Sequence, residues 1–150
     1  MSIKISSLSG ATTEEISKIE QALALANQVM GSDAFKVAVM TATFTSTNFD
    51  RVTIWTALTQ TNYPISLSVV TPPWWKRWFS REVAHENTDG SVVLDRNKLC
   101  NEDIPSLANT LAHETCHSAG FVHSSAKDYQ SVPYQVGSIV EQLARDQANQ

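Results

Sequence analysis

The chain has 150 residues, 42% of them hydrophobic, with 11 Lys and Arg against 15 Asp and Glu for a formal net charge of −4; that suits one domain, 1–150, which buries roughly 68–70% of its unfolded surface and needs no covalent staples. No run approaches the ~18 apolar residues of a membrane span, five Gly and five Pro exclude collagen-like and Pro-rich chains, and the apolar share is too high for a disordered chain. Basic residues are scattered, the densest group being Lys76-Arg77 and Arg81, which argues against nucleic acid as a partner.

Residues 1–10 are expected to form a flexible N-terminal segment, and Met1–Ser6 has neither the apolar run nor the small-residue cleavage site of a secretory leader. The first strong element opens at Thr12, where Thr12-Thr13-Glu14-Glu15 reads as a capping box. Ile16, Ile19, Leu23, Ala26 and Met30 follow at steps of three and four, an apolar stripe along a long helix that ends at Gly31 and packs across the back of a sheet. Residues 33–44 read two ways. Phe35, Val37, Val39, Thr41 and Thr43 alternate as in a strand, whereas Phe35, Val39 and Ala42 have helical spacing behind a Ser32 cap; a short helix is favoured.

Asn48–Thr59 reads as a helix with Val52, Trp55 and Leu58 on one side, and Pro64 introduces a strand over Ile65–Val70. Pro72-Pro73-Trp74-Trp75 breaks that strand and opens an aromatic loop. Glu82–Glu86 and Ser91–Asp95 flank Asn87-Thr88-Asp89-Gly90, a hairpin signal. Pro105 starts a helix that runs to about Ala119 and ends at Gly120. A last helix spans Gln135–Gln147, with Val136, Ile139, Val140 and Leu143 buried. The fold class is α+β: a small mixed sheet with a backing helix, the helix that Pro105 starts and a C-terminal helix.

Three of the four histidines fall within residues 113–123, in the pattern H-E-x-x-H-x-x-G-x-x-H. Positions i and i+4 of a helix differ by about 40° in rotation, so His113 and His117 project side by side. Two imidazoles there can grip one Zn²⁺ at about 2.0–2.1 Å. Glu114 lies about 100° round the helix, able to reach a metal-bound water without binding the metal. Gly120 lets the chain turn sharply, so that His123 supplies a third nitrogen from outside the helix. Three protein ligands leave a fourth position open, as in catalytic zinc sites. A bare H-E-x-x-H arises by chance in roughly one chain in several hundred, and the Gly and third His lower that to about one in 100,000 or less.

Over residues 113–123 the chain resembles the metzincin clan of zinc metallopeptidases, and the order of elements over roughly 64–147 follows that clan's. The resemblance implies a metzincin- or zincin-like fold, His113, His117 and His123 as zinc ligands, and Glu114 as general base. Metzincins also carry a methionine turn downstream of the third His. The only methionines here are Met1, Met30 and Met40, and Ser131-Val132-Pro133-Tyr134 stands in that place; either this Pro-Tyr turn does the same supporting job or the chain belongs to an outlying family. In some metzincins a tyrosine after the third ligand acts near the metal, which makes Tyr134 a candidate donor to the developing oxyanion. The alternative is a buried Tyr with a satisfied hydroxyl.

Weaker signals have competing explanations. Glu141, 24 residues after His117, competes with His123 for the third ligand position, although solvated helix glutamates are the norm. Cys100 and Cys116 are either a disulfide bracing the active-site helix or two small buried thiols. Trp74, Trp75, Trp78 and Phe79, with Lys76 and Arg77, form either a substrate or partner surface or a satellite core, the core being favoured. His85 belongs to the hairpin, which would pair with an extended substrate as metzincin rim strands do. Asp128 is a candidate to orient a ligand imidazole.

The expectation is a zinc-dependent endopeptidase with one catalytic Zn²⁺. It would hydrolyse peptide bonds of protein substrates through a metal-activated water, with Glu114 taking the proton and passing it to the leaving amine. The rivals are a non-catalytic zinc-binding regulatory or interaction domain and a toxin or effector metalloprotease with a single protein target. Partners would be a peptide or protein substrate, with no nucleic acid and no membrane span. A monomer is favoured, and a surface rich in Ser, Thr, Asn and Gln favours a secreted or extracytoplasmic setting.

Overall fold

A computed structural model describes residues 3–60, 62–71, 84–86, 91–125 and 127–149. The elements run β1 (Ile3–Ser9), α1 (Thr13–Met30), α2 (Asp33–Thr41), α3 (Arg51–Gln60), β2 (Tyr63–Val70), β3 (Ala84–Glu86), β4 (Ser91–Asp95), α4 (Arg96–Asn101), α5 (Ile104–Ser118) and α6 (Val132–Ala148). The strands form one mixed sheet in the order β1-β2-β4-β3. β1, β2 and β4 are parallel, and β3 closes the edge antiparallel to β4. Ile65, Leu67 and Val69 of β2 alternate inward, as do Val92 and Leu94 of β4. One face of the sheet is therefore buried, the period-two signature of a strand covered on one side. The fold is α+β, as the order of elements implies.

Within the expected flexible segment 1–10, Ile3–Ser9 is not loose but a strand. Ile3–Ser9 pairs with β2 from Ile3↔Tyr63 to Ser9↔Ser68, with a register shift between Ile5 and Ser7. The side chain of Asn27 on α1 accepts from the Ile3 amide (2.7 Å) and donates to its carbonyl (3.1 Å). Only Ile3 of this strand is fully buried. Ladder and Asn27 hydrogen bonds hold an edge strand whose side chains carry little apolar pattern, and those bonds leave no trace in sequence periodicity.

The capping box at Thr12 is formed, with Thr12 N–H donating to Glu15 Oε2 (2.8 Å) and Glu15 N–H to Thr12 Oγ1 (3.3 Å); such a cap contributes about 1 kcal/mol. The buried apolar face of α1 is Ile19, Ala22, Ala26, Val29 and Met30, with Ile16 and Leu23 only half-buried. The stripe is thus rotated toward small residues, and α1 packs chiefly on α5 rather than directly on the strands. Ser32 caps α2 by accepting from Phe35 N–H (3.1 Å), which settles 33–41 as helix. α3 buries Ile54 and Leu58 and leaves Val52 exposed, so its inner face is turned from the expected one.

β3 and β4 pair antiparallel as the hairpin signal predicts. Its turn, Asn87–Gly90, lies outside the described residues, as do Trp74, Trp75, Trp78 and Phe79. α5 runs through the centre, with Leu107, Ala108, Leu111, Ala112 and Cys116 fully buried. α6 packs along it. α6 starts at Val132, ahead of the expected Gln135, because Pro133 occupies its first turn, where a missing N–H costs nothing. It buries Val136 and Val140, while Ile139 and Leu143 are half-buried. No described helix is long and apolar enough to cross a membrane.

Candidate metal centre

Asp103 starts α5 by accepting from Ser106 N–H (2.9 Å). From that start, Leu107, Leu111 and Thr115 turn into the core while His113 and His117 lie half-buried. The helix ends in a Schellman motif: Phe121 N–H donates to Cys116 O and Gly120 N–H to His117 O, both at 2.9 Å. Gly120 has φ +89°, and a Cβ there would meet nothing within 4 Å. Backbone conformation, not space, is what calls for glycine. The motif buries Phe121 and turns its carbonyl back onto Nδ1 of His117, 2.9 Å away. With Nδ1–H donating to that carbonyl, Nε2 of His117 keeps its lone pair for a metal.

Nε2 of His117 is 3.2 Å from Nε2 of His113. Two nitrogens bound to one tetrahedral Zn²⁺ at about 2.05 Å would be about 3.3 Å apart. The separation and the all-imidazole donor set therefore fit such an ion. His123 closes the group, with ring centroids 5.5 Å from His113 and 4.9 Å from His117. One ligand atom from each of the three lies within 4.8 Å of the others. Burial, and then the neighbouring charges of His117 and His123, pull the His113 pKa down to about 3. That imidazole is neutral, hence able to ligate, through the physiological range.

Glu114 is only 5% exposed on the same helix. Cys116 is fully buried, where burial, and then the Glu114 charge, push its thiol up, and it stands outside the converging group of His113, His117 and His123. The disulfide is not formed: Cys116 is buried, Cys100 exposed, and both are free. Cys100 belongs to the short helix α4, not to the extended chain that would carry it alongside α5.

Tyr134, in the first turn of α6, packs its ring edge-on against His113 (centroids 4.7 Å) and tilted against His123 (5.0 Å). Ser131, Val132 and Pro133 before it are buried, and Ser131 bridges to Thr45. Of the Ser-Val-Pro-Tyr segment it is Tyr134 that packs against two of the three imidazoles. Exposed Tyr129 extends the aromatic group, 5.6 Å from Tyr134.

Other candidates stand elsewhere. Glu141 is no ligand: it accepts from Ser106 (3.0 Å), Asn109 (2.8 Å) and Arg145 (2.6 Å), and so ties α6 to α5. Burial raises its pKa, but those hydrogen bonds outweigh it and hold the carboxyl below its ordinary range. The hydrogen bonds of Asp128 among the described residues go to no imidazole; it accepts from Thr45, Ser46 and Ser124. His85 pairs with Val93 through the backbone of β3, which lies beside α5. Sequence reasoning missed the Phe121 carbonyl, since a main-chain group has no residue signature, and missed Thr45 and Ser46, some eighty positions before Asp128.

No protein-family model, no curated protein and no solved structure matches the chain.

Proposed function

We propose that the protein is a metzincin-like zinc endopeptidase. The observation that carries the reading is the convergence of one ligand nitrogen each from His113, His117 and His123 to within 4.8 Å of one another, with Glu114 on the helix of the first two in the H-E-x-x-H order. A bound zinc would supply Lewis acidity, polarising a carbonyl oxygen and lowering the pKa of water from 15.7 toward about 7. Glu114 takes a proton from the attacking water onto its carboxylate and delivers it to the departing amine nitrogen. Tyr134, held against His113 and His123, donates its hydroxyl proton in a hydrogen bond to the scissile carbonyl oxygen as that atom gains charge. The substrate is an extended peptide that adds as a strand to β3, the edge of the sheet among the described residues, beside α5.

The test is metal analysis of the protein together with a peptide-library digest, for the parent and Glu114→Gln. The expected result is one zinc per chain in both proteins, and phenanthroline-sensitive cleavage that falls roughly 10²–10⁴-fold in the variant. A parent that takes up no zinc overturns the metal centre. Zinc uptake without cleavage of any peptide leaves a non-catalytic zinc module, and a Glu114→Gln protein as active as the parent removes the base.

A further inference from the structure

We propose that Asp128 is a positioning residue that holds His123 in place for the metal; the inference rests on the metal centre proposed above. His113 and His117 are fixed by α5, whereas His123 lies on irregular chain beyond it. Ser124, the next residue, is bound through both its amide and its hydroxyl to Asp128 Oδ2, at 3.1 Å each. The same carboxylate reaches across to a segment some eighty residues earlier. Thr45 Oγ1 donates to Oδ1 (2.7 Å), and the Ser46 hydroxyl donates to Oδ2.

Backbone bonds reinforce the junction. Thr45 N–H donates to Gln130 O (2.9 Å), and Ser131 N–H donates to Asp128 O (3.0 Å). Ser46 is the sole non-glycine with positive φ among the described residues, at +56°. A residue holds that conformation when its surroundings over-determine it, and the Ser46 bond to Asp128 is one such constraint. Asp128 thus fastens the chain at the third ligand to the α2–α3 connection, which spares the metal the cost of ordering that chain.

The experiment is Zn²⁺ and Co²⁺ titration of the metal-free full chain, with the visible spectrum of the Co²⁺ form and X-ray absorption at the metal edge. Asp128→Ala is expected to weaken Zn²⁺ binding roughly 10–100-fold and to lower the nitrogen count from the protein at the metal. Asp128→Asn can still accept from the Ser124 amide while its NH₂ turns to Thr45 Oγ1, so it is expected to recover most of that loss. If Asp128→Ala does not fold, the double variant Thr45→Val, Ser46→Ala carries the same expectation. A folded variant with the parent's affinity and Co²⁺ spectrum overturns the clamp alone. A parent that binds neither ion overturns the metal centre and the clamp with it.

Discussion

The main-chain carbonyl of Phe121 accepts from Nδ1 of His117 at 2.9 Å, so the turn that ends α5 also selects the tautomer of a residue one turn back. Helix termination and ligand orientation depend on the same residues, Gly120 and Phe121. Replacing Gly120 should disturb both. Gly120→Ala places a Cβ at φ +89° and is expected to cost about 1–2 kcal/mol, read by urea unfolding of the metal-free protein. It should also weaken Zn²⁺ binding, with Gly120→Asn milder because Asn tolerates this conformation. An unchanged Zn²⁺ affinity in a destabilised Gly120→Ala would separate the turn from the ligand.

Tyr134→Phe keeps the ring packed on His113 and His123 and removes only the hydroxyl. Metal affinity should be unchanged, while kcat/KM for a peptide falls roughly 10²–10³-fold if the hydroxyl serves the oxyanion. Parent-like kinetics would reduce Tyr134 to a packing role.

Removing the metal should lower the melting temperature. The three imidazoles come together only in the folded chain, so an ion at one hundred times its Kd stabilises by about 2.7 kcal/mol. Calorimetry with and without chelator measures the difference, and His123→Ala should erase most of it while leaving the metal-free melting temperature nearly unchanged.

The seam between α5 and α6 sets where Tyr134 stands. A Cβ at Gly137 would run into the Asn109 side chain and approach the Asn109 carbonyl oxygen at 3.1 Å. Gly137→Ala should destabilise by about 1–3 kcal/mol through overpacking, measured by denaturant midpoint, and should disturb the Asn109–Glu141 bond.

Acid should loosen the same seam. Hydrogen bonds from Arg145 and then from the Ser106 amide lower the Asp103 pKa from 3.8 to about 2. Because the folded value is depressed, the contribution is present above about 3.8 and fades as pH falls through about 2. Urea midpoints measured between pH 5 and 2 should therefore fall less steeply in Asp103→Asn than in the parent.

Much of this architecture is local and is readable from the chain. The Thr12 box, the Ser32 cap, Pro105 in the first turn of α5 and the Gly120 stop are short-range hydrogen-bonding or steric facts. The spacing of His113 and His117 is a property of any helix. Such interactions depend on neighbours within about four positions, and so the order of residues suffices to specify them. β1 escaped because its pairing with β2 joins residues some sixty apart and its side chains show little apolar alternation. The Cys100–Cys116 distance, the packing of Tyr134 on the imidazoles and the Asp128 bonds to Thr45 and Ser46 were decided only when α5, α6 and the α2–α3 connection packed together. Contacts between distant segments follow from which faces bury against which, and that choice is made by the whole core at once.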